Sequence, residues 1–287
     1  VRKKPASNAR KARERTAPEA ADGNASRTCI VVLGMHRSGT SALTRALSLL
    51  GCDLPTTPSN DPEHWESKVI MNLNDEILTS AGSTWRDWEA FNPGWYASPV
   101  MNEFLKRAEA ALKSEFGASP LFVLKDPRIC RLLRFWIEAI EIIGVTPAIV
   151  SPIRNPLEVA ASLEVRDGID PSIGQLLWLR HVLDAEAASR DLKRSYLRYD
   201  DLLDGWRAAA HKVGEDLGIL WPRLSASTEI EIEKFISPAR RHHVAKDASV
   251  LRNSRLSRWI RSSFEILDRW AHGEVGETDA AELDRIR

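Results

Sequence analysis

The chain has 287 residues, with 40 Lys and Arg against 40 Asp and Glu, and 43% of its residues are hydrophobic. That length predicts one or two domains, and that apolar share predicts a packed core and excludes wholesale disorder. A net charge of zero argues against bulk nucleic-acid affinity. No apolar run reaches the roughly 18 residues of a membrane span, and no charged n-region leads into an apolar stretch of secretory type. Cys29, Cys52 and Cys130 are too few and too scattered for a disulfide framework or a zinc cage. They are expected to sit reduced, in or near the core of a cytoplasmic protein.

The zero balance conceals an asymmetry. Residues 1–27 carry eight Lys or Arg and three Asp or Glu, which leaves the rest of the chain net acidic. This stretch holds one large aliphatic residue, Val1, and too little apolar surface to offset the entropy of ordering. It is expected to be a disordered basic tail, able at most to make weak electrostatic contact with an acidic surface. Residues 28–287 are then the folded part.

Cys29–Leu33 is a short unbroken apolar run ending at Gly34, the pattern of a buried parallel strand. Thr40–Leu50 has apolar residues at helical spacing, with Gly51 as its stop. Helices are predicted over Val69–Ala81 and Val100–Phe116. Leu121–Leu124 is a second strand, followed by Lys125-Asp126-Pro127-Arg128 and a helix over Ile129–Ile143, with Pro127 suited to its first turn. Pro147–Ile153 is a third strand; Arg154-Asn155-Pro156 leads into a helix over Leu157–Val165. Helices over Ile173–Arg190 and Asp201–Leu217 flank a fourth strand, Ser195–Tyr199, and Ser227–Arg287 reads as helical. Strands alternating with helices predict an α/β fold: a three-layer, P-loop-like parallel sheet with helices on both faces.

Ligands of such sheets bind beyond the carboxyl ends of the strands. Three strands lead there to a cation: Arg37, Lys125 and Arg154. Convergent positive charge calls for an anion, unless each cation pairs with a nearby carboxylate, as Lys125 could with Asp126. The loop Gly34-Met35-His36-Arg37-Ser38-Gly39-Thr40-Ser41 has the G-x-x-x-x-G frame of a phosphate cradle, whose N–H groups and helix dipole face an anion. A nucleoside-triphosphate loop would continue with Lys. Here Thr40 follows, and the cation is Arg37 inside the loop, a planar fork suited to phosphate or sulfonate oxygens. Arg154 and Ser162, eight positions apart at the start of one helix, could hold a second phosphate away from the first. No metal-ligand spacing is present.

Together these segments resemble the sulfotransferases that use 3'-phosphoadenosine 5'-phosphosulfate (PAPS). Gly34–Leu43 resembles their 5'-phosphosulfate loop, Arg154 to Ser162 their 3'-phosphate motif, and Tyr199-Asp200-Asp201-Leu202 the Tyr-Glu-Asp segment after their later strand. Arg37 in the loop, with Lys125-Asp126-Pro127, is more similar to the tyrosylprotein and bacterial branch than to the small-molecule enzymes, which usually carry Lys there. The resemblance implies sulfuryl transfer from PAPS to an acceptor hydroxyl by in-line displacement, with no metal. It implies that Gly34, His36, Arg37, Ser38, Gly39, Thr40 and Ser41 hold the phosphosulfate, that Arg154 and Ser162 hold the 3'-phosphate, and that Lys125 stabilises the leaving oxygen beside Arg37.

A base for the acceptor is sought in Asp61-Pro62-Glu63-His64-Trp65-Glu66, where His64 and Glu66 are candidates. The Arg-loop enzymes use a Glu in the corresponding stretch, which favours Glu66, with Trp65 excluding water. Trp85, Trp88, Phe91, Trp95 and Tyr96 either stack on a small-molecule, glycan or lipid acceptor or form a satellite core. Arg240-Arg241-His242-His243 either reaches the adenosine phosphates or is surface charge. The rival readings are a P-loop kinase-like phosphotransferase and a non-catalytic nucleotide-binding module.

Overall fold

The structure, a computed structural model, describes residues 27–59, 61–236 and 247–287. The expectations for the basic tail and for Arg240–His243 fall outside those residues. Four strands form the sheet: β1 (Arg27–Val32), β2 (Leu121–Lys125), β3 (Val145–Ile153) and β4 (Arg194–Arg198). All pairings are parallel and the order is β2-β1-β3-β4. β1 begins at Arg27, which composition had assigned to the tail; its guanidinium donates to the carbonyls of Ser119 and Gly117.

The helices are α1 (Thr40–Leu49), α2 (Lys68–Ser80), α3 (Pro99–Phe116), α4 (Ile129–Ile142), α5 (Pro156–Asp167), α6 (Pro171–Ala188), α7 (Tyr199–Leu217), α8 (Ala226–Phe235), α9 (Ala248–Leu251), α10 (Arg258–Ala271) and α11 (Asp279–Ile286). The starts of α4 and α7 bear on the site. α4 begins at Ile129 as expected, but Pro127 precedes the helix, because the Asp126 carboxylate accepts from the Arg128 N–H and turns the chain first. Tyr199 opens α7 rather than closing β4.

Because strand side chains alternate, β1 serves two cores at once. Cys29 and Val31 pack with α2, α3 and α4, while Ile30 and Val32 pack with α1, α7 and α8. A third cluster joins α5, α6, α10 and α11 to Met35 and Ile153. β1 from Cys29 on and β2 are buried on both faces, which is why they appear in the sequence as continuous apolar runs. The three cysteines are free and buried, as expected. Among the described residues no helix is long and apolar enough to cross a membrane.

The topology also locates a crevice. β1 and β3 are neighbours, yet β1 runs into α1 on one face and β3 into α5 on the other. Loops that part this way leave an opening at the carboxyl ends of the strands.

Candidate functional site

A cavity of about 600 Å³ opens at that crevice. It is lined by the β1–α1 loop and the residues after β2 and β3, with the 61–66 segment and Trp85 completing the wall.

The β1–α1 loop is built to leave its amides free. Met35 is fully buried and anchors the loop in the third cluster, and Ser38 N–H donates to Met35 O at 3.1 Å. Gly39 is the N-cap of α1 at φ 87°, and no side chain caps the helix. A Cβ at Gly39 would overlap the Tyr199 ring, so the position has both the φ and the close approach that glycine permits. The uncapped first turn of α1 points free N–H groups at the cavity, a ready anion site. Thr40 and Ser41 line it, while Ser38 Oγ is buried without a hydrogen-bond partner among the described residues.

Arg37, itself at φ 71°, is directed differently from expectation. Its Nε donates to Ser162 Oγ at 2.7 Å, and Arg154 Nη1 donates to Arg37 O at 2.8 Å. The loop and the Arg154–Ser162 motif, taken from sequence as two separate anion sites, are therefore one bonded unit with Arg37 across the join. Partial burial, then the charges of Arg166 and Arg154, pull the Arg37 pKa below its ordinary value. Arg154 Nε pairs with Glu158 at 2.9 Å, and its guanidinium lies 4.7 Å from the Tyr199 ring centroid.

Lys125 is 4% exposed and its ammonium makes three bonds: to Glu66 Oε1 at 2.6 Å, His64 O at 2.9 Å and Ser41 Oγ at 3.1 Å. The carboxylate that pairs with Lys125 is thus Glu66 and not Asp126. Asp126 turns instead to the Arg128 backbone and guanidinium. Burial pushes the Asp126 carboxyl up to about 6, opposed by Arg128 and reinforced by the charge of Glu66. Arg128 also reaches Asp75 at 2.6 Å.

The 61–66 segment returns over the cavity because its stem is closed: Ser59 N–H donates to Glu66 O at 2.7 Å and Lys68 N–H to Thr57 O at 2.9 Å. Glu66 is buried at 5% exposure, whereas His64 is half-exposed and pairs with Asp61 at 3.2 Å. Trp65 turns away, lying 6.5 Å from Phe235 with Arg45 over its ring at 4.8 Å. The shielding of Glu66 therefore comes from its own burial against Lys125, not from Trp65.

The aromatic cluster divides. Phe91, Trp95 and Tyr96 pack on each other and, through Trp95, on Phe104 and Phe135. Trp88 is exposed. Only Trp85 lines the cavity, its ring 4.6 Å from His36. His36 stands with Trp85, and its Nε2 is shielded without a partner among the described residues. Burial, then the charges of Arg166 and Arg128, hold its imidazole well below the usual pKa. Arg128 and Arg166 were missed in the sequence, although Arg166 lies four residues past Ser162 and so on the same helix face. Among the described residues no group of His, Cys, Asp and Glu is placed to hold a metal ion.

The chain matches no family model and no curated protein sequence. Among the solved structures similar to it are two at 15% sequence identity and a TM-score of 0.45 each. One is the sulfotransferase domain from the curacin biosynthetic pathway, with 91% of this chain and 96% of that one covered. The other is the sulfotransferase domain from the Synechococcus PCC 7002 olefin synthase, at 92% and 96%.

Proposed function

We propose that the folded part of the chain, from Arg27 onward, is a sulfotransferase that moves a sulfuryl group from PAPS to an acceptor hydroxyl. The observation that carries this reading is the bonded unit of Arg37, Ser162 and Arg154 beside the uncapped start of α1. A nucleotide with an anion at each end matches that unit; a nucleotide with one phosphate chain leaves half of it unused. The donor set fits PAPS: a cradle that a Cβ at Gly39 would fill, an unpartnered Ser38 Oγ, and two guanidiniums with a hydroxyl for the 3'-phosphate.

PAPS supplies an activated sulfuryl group. In this reading the α1 amides, Thr40 and Ser41 hold the 5'-phosphosulfate, while Arg154 and Ser162 hold the 3'-phosphate with Arg37 between the two. Glu66 takes the acceptor proton as the acceptor oxygen bonds to sulfur and the sulfur–bridging-oxygen bond breaks. Lys125 neutralises the charge left on the released phosphate oxygen, so fixed cations do the electrostatic work. Lys125 then has two carboxylate-like partners in turn, Glu66 before and the leaving oxygen after. A kinase-like reading lacks its Lys after Gly39, where Thr40 stands.

Calorimetry with adenosine 3',5'-bisphosphate and ADP tests the reading. Each charge-assisted bond contributes about 1.5–3 kcal/mol, so the bisphosphate is expected to bind at least ~10-fold tighter than ADP. Equal binding refutes the assignment. Transfer of labelled sulfate from PAPS to a panel of hydroxyl compounds then separates an enzyme from a binding module.

A further inference from the structure

One part of the cavity wall has no task in donor binding. Arg166 lies one turn beyond Ser162 on α5, but it bonds to none of Arg37, Arg154 or Ser162. Its Nε is tied to Asp167 at 2.7 Å, which fixes the plane of the guanidinium. The guanidinium lies 5.9 Å from the Trp85 ring centroid, and the side chain is 31% exposed. No described residue accepts from its Nη1 or Nη2. Those two donors form a parallel fork of the kind that matches a carboxylate.

The surface beside that fork is rigid and mixed. The backbone after Trp85 is clamped from beneath: Arg131 donates to the carbonyls of Asp87 and Glu89, and Arg180 to that of Trp88 at 3.0 Å. Trp85, Met71 and Pro127 supply apolar wall. His36 lines the same wall with its ring, its Nε2 being shielded from the surface. Positive charge is crowded here, since Arg166 depresses the pKa values of both Arg37 and His36. An anion beside Arg166 relieves that crowding; a cationic ligand worsens it.

Building on the sulfuryl-transfer reading, we propose that Arg166, Trp85 and His36 form the acceptor subsite, and that it selects a hydroxy acid: a hydroxyl compound with an apolar body and its own carboxylate, gripped by the Nη edge of Arg166 against Trp85. The acceptor hydroxyl then extends to Glu66 and Lys125, while the carboxylate stays at the far wall. Arg166 is a specificity-determining residue; it takes no part in the proton or sulfuryl transfer.

The test uses the full chain saturated with adenosine 3',5'-bisphosphate. Binding of 4-hydroxybenzoate, 4-hydroxyphenylacetate and 6-hydroxyhexanoate is compared with that of their primary amides, which keep shape and lose charge. At least one acid is expected to bind ~10-fold or more tighter than its amide, the worth of one charge-assisted bond. In R166Q that preference should vanish, with bisphosphate affinity changed less than about twofold, which also reports that the variant is folded. R166K should retain only part of the preference, because it keeps the charge and loses the fork. The proposal is overturned if no acid outbinds its amide, or if the preference survives in R166Q. It is also overturned if R166Q weakens bisphosphate binding ~10-fold, which moves Arg166 to the donor site. Failure of the bisphosphate to bind the unaltered chain refutes instead the reading on which the proposal rests.

Discussion

The Lys125–Glu66 pair yields the sharpest prediction. Both side chains are nearly inaccessible, and their charged atoms are 2.6 Å apart. At an effective dielectric of about 20 the attraction is of order 6 kcal/mol, but desolvating each ion costs several kcal/mol, so the intact pair contributes little net stability. Removing one partner is different, because the other charge is left buried; that costs about 3–5 kcal/mol. Glu66→Gln leaves the ammonium with the His64 carbonyl, Ser41 Oγ and a neutral amide oxygen, so the expected loss is near the lower end, about 3 kcal/mol. Lys125→Met leaves the Glu66 carboxylate without its hydrogen-bond donor and should lie near the upper end. The double variant replaces the pair with uncharged groups and should recover most of either loss. Urea midpoints at constant m give these energies, and the double-mutant cycle gives the coupling. Single effects below ~1 kcal/mol, or additive ones, would refute the claim that these charges face each other in a dry site. The same Glu66→Gln protein should lose about 10²–10⁴ in turnover while still binding the bisphosphate.

Three further predictions bear on the site and its support. Arg154→Lys keeps the charge but not the fork that reaches Glu158 and the Arg37 carbonyl. Calorimetry should show the bisphosphate-over-ADP preference falling ~10-fold, and an unchanged preference removes Arg154 from the second anion site. Gly39→Ala places a methyl at positive φ against Tyr199. Strain of about 1–3 kcal/mol and a displaced Tyr199 should lower both melting temperature and bisphosphate affinity, and unaltered affinity argues against the cradle. His181 is fully buried, and burial followed by the charge of Arg131 drives its pKa down to about 3. The folded state then binds fewer protons than the unfolded chain between about pH 3 and 6.5. Stability is therefore fully present above the unfolded pKa of 6.5 and falls on acidification, by about 2 kcal/mol between pH 6.5 and 5. His181→Gln should flatten that part of the slope in a melting series, although His36, shifted the same way, leaves a residue of it. An identical slope in the variant would assign the acid sensitivity elsewhere.

What the amino-acid order determines by itself is what depends on near neighbours. The unbroken apolar run at Cys29–Leu33, the glycines of the loop after it, the periodic helix behind it and Asn155 and Pro156 at the start of α5 each act within a few residues. They were enough for the parallel α/β architecture and for the loop that lines the cavity. Tertiary structure decided the partnerships. Lys125 finds Glu66 across 59 residues and Arg37 finds Ser162 across 125, because the order β2-β1-β3-β4 brings three loops to one crevice. That order comes from how the elements share burial across the whole chain, which no local pattern encodes. The same holds for the tryptophans. Trp85 and Trp95 look equivalent in the sequence, and only long-range contacts separate them: Trp95 packs on Phe104 and Phe135 in the core, while Trp85 stands beside His36 in the cavity wall.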